Sequence, residues 1–169
     1  MNQQWDVDDI IQHFTLLPEE VSFVGSNDPH NQLGKALLLK CFQYESRFPE
    51  NKADLAPAII AYVAQQLNLS PTALQAYQWD GRTIKEHRRQ IREWLGFHPA
   101  TLTDQRSLRN WLMAEGLPHE HRPVYLTQLA YQYLRRLQIE PPTQGRMERL
   151  VMSAIRQYEQ TFFKTRQPA

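Results

Sequence analysis

The residues with the clearest chemical potential in this chain are closely spaced cations. Between Gly81 and Gly96 the sequence GRTIKEHRRQIREWLG sets Arg82, Lys85, Arg88, Arg89 and Arg92 within about three helical turns. Lys85, Arg88, Arg89 and Arg92 recur at intervals of three and four, which gathers them on one face of a helix. Like charges so placed repel, and a DNA backbone lying along them relieves the repulsion while releasing condensed counterions. A solvated face, partly relieved by Glu86 and Glu93, is the competing reading of the same spacing.

Just upstream, Ala61 to Tyr77, AYVAQQLNLSPTALQAY, has the pattern of a helix-turn-helix. Ala64 is small where two helices would cross, and Leu67 follows three residues on. Asn68 tolerates a left-handed backbone where glycine is usual. Leu69 anchors the turn, Ser70 caps the second helix and Leu74 returns to the core. The exposed face then shows Pro71, Thr72, Gln75 and Gln78, of which Thr72 and Gln75 suit hydrogen bonds to base edges in the major groove. An ordinary helical hairpin with a capped second helix fits the pattern too.

Other chemistry finds little support. His119-Glu120-His121 is the one close histidine pair, but it stands beside Pro118 and Pro123 without a third ligand nearby, so a surface segment is expected rather than a metal site. GxSxG, GxxxxGK[ST] and HExxH do not occur, and Cys41 falls on an apolar helix face where a structural thiol belongs. No catalytic residue, metal or cofactor is expected.

These residues need helices to position them. Hydrophobic residues make up 41% of the 169 and aromatics 11%, enough to build a core. Alternating β-branched runs are missing, and prolines fall between periodic segments, so the fold is expected to be all-α with six to eight helices. Asp8 to Phe14 and Pro18 to Val24 open the chain as short helices, the second ended by Gly25. After a turn at Ser26-Asn27-Asp28-Pro29, His30 to Tyr44 carries an apolar stripe of Leu33, Leu37, Leu38, Cys41 and Phe42. Further helices are expected over 54–67, 70–78, 83–95, 104–114, 123–137 and 144–163. A boundary near residues 97 to 103 predicts a subdomain over 1–97, containing the helix-turn-helix-like unit and the basic helix, and a C-terminal helical subdomain over 98–169.

Charge is divided unevenly. Residues 1–60 hold four Lys/Arg against nine Asp/Glu, and residues 61–169 hold fifteen against nine, thirteen of them Arg. Phosphate contacts are expected in the second part. A single cysteine excludes an internal disulfide framework and suits a reducing cytoplasm. No apolar run approaches the ~18 residues of a membrane span, and no secretory leader opens the chain, so a soluble cytoplasmic location without a membrane partner is expected.

A longer pattern joins these stretches. Phe14-Thr15-Leu16-Leu17-Pro18, His30-Asn31-Gln32-Leu33-Gly34, Arg47-Phe48-Pro49, Tyr77-Gln78-Trp79-Asp80-Gly81-Arg82-Thr83 running into His87-Arg88 and Ile91-Arg92, and Pro141-Pro142 followed by Glu148-Arg149-Leu150-Val151 resemble the N-terminal domain of Tn3-family transposases. The resemblance covers roughly Phe14 to Glu159. It implies binding to the terminal inverted repeats of a transposon, with the metal-dependent catalytic domain several hundred residues further on and absent here. Where the family usually has a basic run, this chain reads Gly25-Ser26-Asn27-Asp28-Pro29, and Gln32 stands where Arg is common.

The leading expectation is sequence-specific binding to double-stranded transposon-end DNA, with Ser70, Thr72, Gln75, Gln78, Arg82, Lys85, Arg88, Arg89 and Arg92 at the interface. The alternative is a protein-interaction or structural module that docks on the catalytic part of a transposase or on a second copy of itself. Leu37, Leu38, Ile59, Val63, Leu67, Leu74, Trp94 and Leu95 are expected in the core, and a sheet of three or more strands would overturn the fold.

Overall fold

The computed structural model describes residues 4–25 and 28–166, so Ser26 and Asn27 of the expected turn lie outside the described residues. Among the described residues are eight α-helices, a π-helical turn, two short 3-10 segments and one pair of two-residue strands. The fold is all-α as expected. The chain divides into two compact units, Met1–Leu95 and Gly96–Ala169.

Unit 1 contains α1 (Val7–Phe14), α2 (Pro18–Val24), α3 (Pro29–Glu45), α4 (Pro57–Gln66) and α5 (Arg82–Leu95), with 3-10 segments at Lys52–Asp54 and Pro71–Ala76. Helix α3 is its centre: α1, α2, α4, α5 and the Pro71–Ala76 segment all pack on it. The sequence pattern predicts an apolar stripe, yet every residue from Leu33 to Phe42 is buried, Lys35 and Lys40 included. Their stems lie along apolar surface while their ammonium groups find polar partners. Lys35 Nζ donates to Phe23 O at 3.1 Å and Gln90 Oε1 at 2.7 Å, and it sits 4.3 Å from the centre of the Phe23 ring. Lys40 Nζ pairs with buried Glu20 at 3.1 Å. Glu20 also accepts from Leu17 N at 3.0 Å and Gln43 Nε2 at 2.9 Å.

Of the expected core, Leu37, Leu38, Ile59, Val63, Leu67 and Leu74 are buried. Trp94 and Leu95 correct the expectation, Trp94 being 42% exposed and Leu95 half-buried. The inward face of α5 is centred on buried Ile84 and Ile91, seven residues apart. Trp94 lies at the edge of that face, where its ring stacks on the half-buried Phe23 at 4.4 Å and 9°.

Unit 2 is built from α6 (Leu102–Trp111), which runs into a π-helical turn at Leu112–Gly116, then α7 (Pro123–Arg136) and α8 (Gln144–Thr165). Thr101 and Asp104 form a capping box at the start of α6, and Thr143 caps α8. Leu108, Leu112, Leu126, Ala130, Leu134, Met147 and Val151 close its core. Strands β1 (His98–Pro99) and β2 (Ile139–Glu140) pair in parallel, His98 opposite Ile139. Pairing this brief leaves no alternating pattern for a sequence to announce. Among the described residues no helix is long and apolar enough to cross a membrane.

The buried pair in unit 1 can be tested directly. Burial raises the Glu20 carboxyl, but the hydrogen bonds from Leu17 and Gln43 and the Lys40 ammonium outweigh it, and the group is held below the usual carboxylate range. Its contribution is therefore present at neutral pH and lost as pH falls through that range. Glu20→Gln strands the Lys40 charge and should destabilise the protein by about 3 to 5 kcal/mol in urea denaturation. Glu20→Leu with Lys40→Met should recover most of that loss; a double variant as unstable as the single one would show that the charge is not the cause.

Candidate nucleic-acid interface

The surface of unit 1 with polar, sequence-reading potential begins at the end of α4. Ala64 is fully buried and Leu67 nearly so, and Asn68 adopts φ 57°, the left-handed conformation expected of it. Leu69 N reaches back to Ala64 O at 2.9 Å, which closes the turn. Ser70 Oγ then accepts from Thr72 N at 3.3 Å and pairs with Thr72 Oγ1 at 2.7 Å.

The α-helix expected over 70–78 does not form. Pro71–Ala76 is instead a 3-10 helix of six residues, ended by Tyr77 with extended backbone. The tighter winding has a consequence for side chains: with three residues per turn, positions three apart eclipse one another. Exposed Thr72 and Gln75 therefore form one row, and exposed Gln78 follows beyond the helix, after the extended backbone of Tyr77.

The segment is fastened from behind. Leu74 is buried, and the fully buried Tyr77 ring lies against the backbone of α3 at Gly34, where a built Cβ would approach Tyr77 Cγ to 2.5 Å. Only glycine fits there, which explains the last residue of the His30–Gly34 motif. Tyr77 Oη is hydrogen-bonded to His87 Nδ1 at 2.8 Å, which ties the segment to α5. Burial raises the Tyr77 phenol well above its ordinary value, although Arg88 opposes it, so the hydroxyl stays protonated. Burial lowers the His87 imidazole to about 4, with Lys35 adding and Glu86 opposing, so the ring is neutral. From the other side Lys52 Nζ donates to Leu74 O at 3.0 Å, Tyr77 O at 2.5 Å and Gln75 O at 3.4 Å. Trp79 Nε1 donates to Glu50 O at 3.0 Å. Sequence reasoning missed Lys52 and Gly34, because neither has any local sign of its partner more than twenty residues away.

Helix α5 does not present its cations as one free face. Arg82, Lys85 and Arg89 are exposed, whereas Arg88 and Arg92 are half-buried. The Arg88 guanidinium lies 5.6 Å from the centre of the Phe48 ring. Arg89 is held between two carboxylates, Glu86 at 2.5 Å and Glu93 at 2.6 Å. Hydrogen bonds from Arg89 and Gln90 lower the Glu86 carboxyl to about 2, and the same pairing raises Arg89 further. Arg82, Glu86, Arg89 and Glu93 thus alternate in sign along the outer row, the pattern of a solvated ion-pair ladder.

His119 and His121 are exposed, and Glu120 between them pairs with Arg122 at 2.8 Å. Among the described residues no group of three or more His, Cys, Asp and Glu is placed to hold a metal ion. Cys41 is buried, and burial pushes its thiol up to about 12.

The chain belongs to the family described as a domain of unknown function, DUF4158, which matches residues 1–154. It is 25% identical over 154 residues, 90% of its length, to the transposase for transposon Tn1546 of Enterococcus faecium. It is 29% identical over 130 residues, 70% of its length, to the transposase for transposon gamma-delta of Escherichia coli strain K12. The resemblance to Tn3-family transposases drawn from the sequence is borne out. The chain spans 16% of the first relative and 13% of the second.

Two outcomes test the backing of the row. Gly34→Ala should destabilise the protein by about 1 to 3 kcal/mol through overpacking. In a Tyr77→Ala background that cost should largely vanish, and an equal cost in both backgrounds would count against the contact. Because the folded His87 value lies below the ordinary 6.5, its contribution to stability should be complete above about pH 6.5 and fall toward pH 4. His87→Phe should flatten that part of the melting-temperature profile.

Proposed function

We propose that the chain binds double-stranded DNA at the terminal inverted repeats of a transposon and acts by occupancy, with bond cleavage left to a separate catalytic part of a transposase. The observation that carries the reading is the row of Thr72 and Gln75, uncharged, exposed and held from behind by Gly34, Tyr77 and Lys52. Rigid backing of a short polar row suits a surface that must discriminate base edges, since a misplaced donor loses the bond it is meant to make. Transposase relatives over most of the chain point to the same partner.

Within this reading Thr72 and Gln75 specify bases, while Ser70 caps the segment and exposed Gln78 follows it. Exposed Arg82 and Lys85 reach phosphates, flanked by Arg88, Arg89 and Arg92. Arg89 contributes least of these, because Glu86 and Glu93 already offset its charge. A second reading, a docking module for the catalytic part of a transposase or for another copy of the chain, is favoured by Phe162 and Phe163, 53% and 75% exposed on α8.

Fluorescence anisotropy with an inverted-repeat duplex and a scrambled duplex separates the two readings. Gln75→Ala should weaken binding to the inverted repeat by about 1 to 3 kcal/mol and leave the scrambled duplex nearly unaffected. Equal losses on both duplexes would remove the base-reading role. No binding of either duplex by the wild-type chain would leave the docking module.

A further inference from the structure

A second cluster of positive charge lies in unit 2. Unit 2 holds ten Lys/Arg against six Asp/Glu. Helices α6 and α8 pack side by side, and a groove of about 280 Å³ runs between them. Arg106 and Arg109 enter it from α6, three residues apart, and Arg146 and Arg149 enter it from α8 at the same interval. Gln105 and Ser153 supply neutral polar groups beside Leu102 and Leu150, and among the described residues no carboxylate lines the groove.

None of these four arginines is ion-paired to an acid among the described residues, in contrast to Arg89 on α5. The Nε of Arg109 is buried and has no hydrogen-bond partner. That unsatisfied donor carries an unrecovered desolvation cost and, being closed to solvent, reports on the groove without contacting an anion in it. Arg146 stands in the first turn of α8, a 22-residue helix whose dipole favours an anion at that end. The nearby acids are engaged elsewhere. Asp104 accepts from Thr101 N at 2.9 Å and lies 3.1 Å from His98 Nε2, and Glu148 accepts from Gln144 Nε2 at 3.5 Å.

We propose that this groove seats successive phosphodiesters of a nucleic-acid strand, with Arg106, Arg109, Arg146 and Arg149 as the donors. Four arginines lining one groove carry more charge than one phosphate monoester of about two negative charges neutralises, whereas a polyanionic backbone supplies a charge to each. Guanidinium forks also match phosphate oxygens in pairs. The inference rests on the reading that the chain binds DNA and adds a second hold on the backbone, in unit 2, to that of Arg82 and Lys85 on α5, where Arg89 is already paired with Glu86 and Glu93.

The test uses the full chain and the same two duplexes across a salt series. Replacing Arg106, Arg109, Arg146 and Arg149 together by Gln should lower the slope of log affinity against log salt by about 0.9 for each phosphate no longer neutralised. Affinity for both duplexes should fall alike, and their ratio should stay constant. Because a quadruple variant can misfold, the Nε–Hε resonance of Arg109 in the wild-type chain provides a second readout, and it should shift on adding scrambled duplex. An unchanged salt slope in a folded variant, or an unmoved Arg109 resonance, would overturn the groove proposal while leaving base reading by Gln75 intact. A shift produced by inorganic phosphate but not by duplex would identify a small-anion site and overturn it as well. If the wild-type chain binds neither duplex, the groove and the DNA-binding reading fall together.

Discussion

The contact on which unit 1 depends is the one between Gly34 and the ring of Tyr77. Helix α3 is buried along ten consecutive residues, so some neighbour must approach it on every side. At Gly34 the absent side chain lets an aromatic ring lie on the helix backbone, closer than any Cβ would permit. That ring ends the 3-10 segment, and its hydroxyl reaches His87 on α5. One missing methyl group thereby sets the position of both stretches of unit 1 with chemical potential. The contact also accounts for the 3-10 winding in part, because Leu74 and Tyr77, three residues apart, are both buried and eclipse only in the tighter helix.

Burying lysines at the centre of a small unit raises the question of what offsets their desolvation. Lys40 has a carboxylate, itself satisfied by a backbone N–H and an amide. Lys35 has a carbonyl, an amide oxygen and an aromatic face, and burial lowers its ammonium value, with Glu86 opposing. The two solutions differ in consequence. An ion pair is costly to break from one side, whereas the neutral partners of Lys35 lose a hydrogen bond without stranding a charge.

Charge spacing misled in one place and went unread in another for the same reason. Along α5, intervals of three and four describe neighbours on a helix, but they do not say whether Glu86 and Glu93 turn toward Arg89 or away from it. In unit 2, Arg106 and Arg109 lie some forty residues from Arg146 and Arg149, and no interval in the sequence joins them. Helical periodicity is a local property. Electrostatic fields are summed over whatever folding brings together.

The helices were legible in the sequence because their signals are local: Pro18 and Pro123 at first positions, Gly25 at a C-cap, and apolar residues at helical spacing. The turn at Asn68 was legible on the same grounds, as were six of the eight expected core residues. Tertiary structure decided what local signals cannot carry. It wound the segment after Ser70 as a 3-10 helix to suit two buried anchors, and it left Trp94 at the rim of α5 because Ile84 and Ile91 already filled the inward face. It gave Lys52 three backbone carbonyls to hold, and it drew four arginines from two helices into one groove. Each of these outcomes depends on the packing of segments distant in the chain, where sequence spacing carries no information about distance.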